Sequence, residues 1–433
     1  MKIFQIIFLI VFIFVAVVAV LIFAGILPGF RADTAKTTVP LTIWGVWPAT
    51  DSNIRNLISR FNSQYEGQVS LNYVQKNINT LENDFLNELA RGSAPDIIFF
   101  PDDFIIKHRN KVTAIPYQDL SIRQFRDTFL PAGEIFMDGR GTFALPILVD
   151  PLVMYYNPDY YANVGLARPP STWPEVVNTL EFLNEIDERR NVIRSGLAMG
   201  ETVNINRFKE IFLTLLFQSG TEVISRSGNE YRVVLAEATG QAYSPALATL
   251  NFFLEFSDPR RVNYSWNRSL PMDREMFLSG RLANYFGLMS DLRILRSRNP
   301  NLNIDAVVIP QRDQSLNRIT FGRVYGLAVP TASRNRATAI WTAKILAYNW
   351  PVENIVIASG LVPARRNLLV ADPRDPLQDV FYRSALIIKT WPDPDILSSG
   401  AILQRIVNDV NTGRARPEGA ISNATEELRG LIR

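Results

Sequence analysis

Residues 41–100 read LTIWGVWPATDSNIRNLISRFNSQYEGQVSLNYVQKNINTLENDFLNELARGSAPDIIFF. The stretch opens on a short strand signal, 41–46. After Pro48, Asp51 or Ser52 is a candidate helix cap. Ile54, Leu57, Ile58 and Phe61 then fall at i, i+3, i+4 and i+7, one face of an amphipathic helix, and Gly67 ends it. Val69, Leu71 and Tyr73 alternate with polar residues, as in a half-buried strand. Leu81, Phe85 and Leu89 recur every four residues, and Gly92 stops that helix. The run 97–100 is wholly apolar and suits a central parallel strand. The order is β-α-β-α-β, which predicts an α/β fold with a doubly wound sheet. Ligands bind such sheets beyond the carboxyl ends of the strands. Those ends carry Trp47 and Asp51, then Asp102 and Asp103, and, after a third strand at 144–149, Asp150.

Further along, 153–156 reads as another strand. Thr172 to Glu175 fits a capping box, S/T-x-x-E, opening a helix. Helices are expected at 207–218, 241–256 and 335–349, and strands at 304–309 and 326–329. A last long helix starts near Leu397, with a further turn or two to the end.

The 433 residues suggest two or three domains. A hydrophobic fraction of 47% against 20% charged allows a sizeable core and excludes a disordered chain. Cysteine is absent and His108 is the single histidine. Disulfides, thiolate metal sites, cysteine nucleophiles and His-rich metal clusters are therefore excluded, and no cofactor is expected. Any Ser-His-Asp triad would need His108. That residue, between Lys107 and Arg109, reads as a solvated helix residue. Net charge is only +3, from 45 basic and 42 acidic side chains, so a nucleic-acid partner is not expected. No Walker loop is present, so any ATP chemistry belongs to another chain.

Residues 3–27 are apolar apart from Gln5 and Gly25. As a helix they would extend about 37 Å, enough for a hydrocarbon core of roughly 30 Å. The stretch exceeds a secretory signal's apolar region and lacks a clean cleavage site. An uncleaved transmembrane anchor is the favoured reading and a cleaved signal the alternative. Residues 32–40 read as a linker. A single-pass membrane protein follows, its orientation poorly marked, because Lys2 and the α-amino group on one side nearly balance Arg31 and Lys36 on the other.

Six motifs occur in one order: LTIWG (41–45), ARGSAPDIIF (90–99), ALP through VMYYNPDYY and PPSTWPE (144–175), FLSGRLA (277–283), GRVYGLAVP (322–330) and GLVPAR (360–365). Together they resemble family 1 extracellular solute-binding proteins, the carbohydrate receptors of ABC importers related to maltose-binding protein. The resemblance implies a two-lobe periplasmic-binding-protein fold (type II) and no enzymatic activity. Lobe one would take 40–150 with 322–362, and lobe two 151–321 with 363–433. Carbohydrate and the permease's transmembrane subunits are the expected partners of a monomer. Many members carry a lipid-bearing cysteine. This chain has none, so the resemblance implies that the apolar N-terminus is the tether, with the binding domain on the extracytoplasmic side of the cell membrane. Two other readings remain open: a ligand-sensing receptor for a membrane signalling partner, and an anchored glycosidase using a pair such as Asp102 and Asp150.

A sugar site mixes carboxylates, which accept hydroxyl protons strongly, with aromatic rings that pack on C–H faces. Trp47, Asp51, Asp102, Asp103 and Asp150 are the candidates at strand ends. Asp51 also reads as a cap and Asp150 also as a hinge hydrogen-bonding group. The resemblance adds Phe286 and Met289 after the F-x-x-G-x-x-A segment, Tyr325 near a hinge crossing, and Trp391 in a Pro/Asp-rich loop. Trp173 reads as structural. No metal ligand is expected.

Overall fold

The computed structural model describes residues 3–23, 38–227, 230–237, 244–312, 318–350, 352–369 and 375–432. The expected linker, and the end of the expected 3–27 span, lie largely outside the described residues. Helix α1 covers Ile3–Phe23, 21 residues. Side chains are described for residue 5 and for 7–20, almost all exposed, Phe8 at 69% and Phe14 at 68%. Taken over the described residues, no helix is long and apolar enough to cross a membrane.

The opening stretch folds as read. Strand β1 (Val39–Gly45) leads into helix α2 (Ser52–Gln64), whose Ile54 and Phe61 are buried. Strand β2 (Val69–Gln75) follows, then α3 (Leu81–Arg91) and β3 (Ile97–Pro101), every residue of which is buried. Gly92 ends α3 in the left-handed region, φ +71°, and the next amide, Ser93 N, reaches back to Glu88 O at 3.0 Å. That geometry costs least with glycine. β1 pairs in parallel with β2 (Leu41 opposite Leu71) and with β3 (Ile43 opposite Ile97). β3 runs straight into a short helix, α4 (Asp102–Lys107).

The runs 144–149 and 153–156, expected as two strands, are one: β4, Leu145–Tyr156. Asp150–Pro151 lies in its middle. Proline lacks an N–H and normally interrupts a ladder. Here its carbonyl still accepts from Met289 N at 2.9 Å as the strand passes between sheet regions. Helix α5 (Trp173–Leu183) starts at the expected cap, with Thr172 Oγ1 accepting from Glu175 N. The reciprocal bond shifts by one residue, since Glu175 accepts from Ser171 N at 2.7 Å. Next come β5 (Val192–Leu197), α6 (Phe208–Gln218), the antiparallel hairpin β6 (Ile224–Ser227) and β7 (Glu230–Val233), and α7 (Pro245–Glu255). Strands β8 (Leu282–Leu288), β9 (Asp305–Val308) and β10 (Thr320–Ala328) precede α8 (Pro376–Leu386), α9 (Ile396–Asn411) and α10 (Pro417–Leu431). α10 is a full 15-residue helix, longer than the turn or two expected, because Ala420, Ile421, Ala424 and Leu428 bury one face, with α9 as neighbour.

The main sheet runs β2-β1-β3-β10-β4-β8-β5, and β9 also pairs with β4. β10 is antiparallel to both β3 and β4. The sheet is therefore mixed rather than wholly parallel. β4 belongs to both ends. Its first half pairs with β10 in the β1–β3 region, and its second half pairs with β8 and β9. This gives two α/β lobes, with β4 running from one into the other.

Candidate ligand-binding cleft

β3 ends at the junction, so the first two residues of α4 meet the other lobe. Asp102 is buried, and its carboxylate accepts from Val324 N (3.3 Å) on β10 and from the Thr390 hydroxyl. Burial, with the charge of Asp103 alongside, pushes its pKa up to about 7. Asp103 lies 3.3 Å from Arg323 Nη1, and Arg323 Nη2 lies 3.3 Å from Glu210 Oε1 on α6. Burial opposes the Arg323 charge, but Asp103 and Glu210 more than offset it, and its pKa is raised. Its buried Nε has no hydrogen-bond partner among the described residues. Arg207 adds a second cation at 3.7 Å from Glu210 and holds Asp291 through two bonds of 2.8 and 2.6 Å.

Lys209, next on α6, donates to Asp393, to Ser399 Oγ (2.7 Å) and to Ile396 O (3.1 Å). Its ammonium lies 5.4 Å from the ring centroid of Trp391, which is buried. These groups border a narrow cleft with a cavity volume of about 20 Å³, or about 280 Å³ including open solvent, lined by Asp102, Asp103, Glu210, Arg323, Trp391 and Asp393, among others. Carboxylates, a guanidinium and an indole thus converge from both lobes. That combination can accept and donate to hydroxyls and pack a flat apolar face.

The expected residues divide. Asp102, Asp103 and Trp391 are brought together here. Asp150 lies in the middle of β4, fully buried, with Oδ1 accepting from Ser290 N (3.0 Å) and Oδ2 without a partner among the described residues. Burial raises its pKa to about 6. Met289 is beside it, half-buried, its carbonyl accepting from Tyr155 OH at 3.1 Å. Tyr325 is half-buried, its ring 5.3 Å from Trp47. Trp47 is not open to the cleft. It is 7% exposed and packs on Phe99 at 4.5 Å. Asp51 caps α2, accepting from Asn53 N at 2.8 Å. Phe286 is buried in lobe two, 6.0 Å from Trp173, and is not among the cavity's lining residues. Trp173 is structural, as read, donating from Nε1 to Gln218 at 2.7 Å.

His108 is not solvated. It is 3% exposed between Phe85 and Phe104, and burial pushes its pKa down to about 4. The turn that ends α4 aims the imidazole inward, while Lys107 and Arg109 on either side stay partly exposed.

Sequence reasoning missed Glu210, Arg323, Lys209 and Asp393. Signals existed. Arg323 is a charge inside a strand, and Glu210 lies in a helix whose other residues from 208 to 217, apart from Lys209 and Thr214, are apolar. A larger recess, about 1140 Å³ including open solvent, lies around Trp173 and Phe252. Its walls come from α5, α6 and α7 with Ser219 and Arg312, all within 173–312, and are mainly apolar. Among the described residues, no group of three His, Asp or Glu is placed to hold a metal ion.

Residues 45–204 match the family model described as bacterial extracellular solute-binding protein. No curated protein matches the sequence. Among solved structures, a cyclo/maltodextrin-binding protein complexed with maltotetraose is 17% identical at a TM-score of 0.72, covering 91% of this chain and 97% of that one. The cyclic α-maltosyl-1,6-maltose binding protein of Arthrobacter globiformis is 13% identical with the same TM-score, covering 91% and 99%. An ABC transporter solute-binding protein of Thermotoga lettingae, bound with α-D-tagatose, is 17% identical at 0.66, covering 92% and 100%. The matched family is one of binding proteins, not enzymes. The two-lobe fold and the matched segment agree with the resemblance carried by the six motifs, to family 1 extracellular solute-binding proteins.

Proposed function

We propose that the chain is a membrane-anchored, extracytoplasmic receptor that captures a carbohydrate between its lobes and hands it to an ABC importer permease. One observation carries the reading: Asp102 and Asp103 from the end of β3 face Glu210, Trp391 and Asp393 across Arg323 on a crossing strand. Ligand contacted from both sides favours the closed form, because only that form makes both sets of contacts. The lobes are divided at Asp150–Pro151 and near Gly322, so that 40–150 with 322–362 moves against 151–321 with 363–433. Sugar-bound relatives of the same fold support the ligand class.

The test is a thermal-shift screen of the full-length chain in detergent against a glycan panel. A ligand at a hundred times its Kd adds about 2.7 kcal/mol to the native state. At least one carbohydrate is expected to raise the midpoint by several degrees. A panel with no shift at millimolar concentrations would sink the carbohydrate assignment.

Anchoring is assigned to the apolar N-terminal stretch, residues 3–27. The reading rests on the sequence: residues 3–27 are apolar apart from Gln5 and Gly25, and as a helix they would extend about 37 Å, more than the roughly 30 Å hydrocarbon core. The intact chain is expected to remain in the membrane pellet after alkaline carbonate washing. Release of the intact chain into the supernatant would contradict the tether.

A further inference from the structure

Among the described residues, the β6–β7 hairpin joins no other sheet, and its base is fixed in lobe two. Ile224 and Val233 are buried there, and β7 lies against α10. Its outer residues reach the opposite lobe. Arg226 donates from Nη2 to Glu134 O (3.4 Å) and from Nη1 to Ile135 O (3.5 Å). The Glu134 side chain is held by Arg126 instead, at 2.8 and 3.1 Å, so Arg226 grips backbone. On the other strand, the ring of Tyr231 carries the guanidinium of Arg109 at 4.2 Å from its centroid. Both contacts are half-buried, so solvent only partly screens them. Beside the hairpin, Glu222 pairs with Lys389 at 3.1 Å. Ile135 and Lys389 both line a recess that meets the carboxylate pocket at Thr390.

We propose that this hairpin is a clasp, which reaches from lobe two over lobe one and holds the cleft closed on the side where that recess opens. The inference rests on the two-lobe division given above. It does not depend on which ligand is bound. Opening the lobes must break the Arg226 bonds and the Arg109–Tyr231 stack together, since both pairs span the junction. Without them, the closed form retains the pocket's ion pairs and the Lys107–Asp395 pair at 2.6 Å. The clasp therefore tunes the closed population rather than creating it.

The chain has no cysteine, so two introduced ones can be labelled cleanly. Ile78→Cys on lobe one and Val262→Cys on lobe two are 57% and 86% exposed sites. Spin-label distances are measured on the full-length chain in detergent without ligand. Arg226→Ala with Tyr231→Ala is expected to raise the long-distance, open population at least threefold. Arg109→Ala, which leaves the hairpin's own sequence intact, is expected to move it the same way. Unchanged distance distributions in both variants would overturn the clasp. Because no sugar is present, failure of the carbohydrate reading appears only in the glycan screen, and failure of the clasp only here.

Discussion

Arg323→Met is expected to lower the unfolding free energy by about 3–5 kcal/mol, the cost of breaking a buried ion pair by removing one partner. Arg323 lies between Asp103 and Glu210, and its side chain is only 22% exposed. Methionine keeps much of the volume and removes the charge. Glu210 would keep only Arg207, at 3.7 Å, and Asp103 would lose a near cation beside buried Asp102. Arg207 places the expected loss toward the low end of that range. Adding Glu210→Gln should recover part of it, because the uncompensated charge is then gone. Urea unfolding of the two variants measures both effects. A single-variant loss below 1 kcal/mol would mean that water already reaches the pair and that the cleft is wetter than its geometry implies.

The second large effect is a fall in stability as pH rises from about 5 to 8. Asp102 and Asp150 both have folded pKa values raised above the ordinary carboxylate value, to about 7 and about 6, chiefly by burial. The folded chain therefore holds these protons more tightly than the unfolded chain. Their stabilising contribution is fully present below about pH 4 and is lost as pH climbs through about 6 and then about 7. For Asp102 the span corresponds to on the order of 4 kcal/mol. Asp102→Asn keeps the shape and removes the titration. The difference in unfolding free energy between the parent chain and this variant should shrink or change sign across the window. A parent chain that gains stability relative to Asp102→Asn between pH 5 and 8 would contradict the burial of Asp102.

The β1–β3 region was legible because its determinants are local. Periodicity in Ile54 to Phe61, the stop at Gly92 and the apolar run before Pro101 each act within one element. Asp102 and Asp103 were legible for the same reason, since a strand end is a local feature. Arg323 and Glu210 were not. Their roles depend on β10 inserting antiparallel between β3 and β4, which sets Tyr325 opposite Pro101 and Arg323 opposite Asp150, residues far apart in the chain. Phe286 shows the opposite error. An aromatic after a familiar segment suggested stacking on ligand, but strand alternation turned it into lobe two against Trp173. Trp47 likewise lies beyond its strand yet folds back on Phe99. Burial of an aromatic depends on what packs over it, and one strand's sequence does not contain that information. His108 was misread because charged neighbours suggested solvent, whereas the partners that bury it are Phe85 and Phe104.

The central claim is that a carbohydrate is held between the lobes by Asp102, Asp103, Glu210 and Trp391. A crystal structure of the chain with the glycan that gives the largest thermal shift tests it most directly. The expected result is saccharide density in the junction, with hydroxyls within hydrogen-bond distance of those carboxylates and a ring face on Trp391. Saccharide bound outside the junction, touching one lobe only, would contradict it.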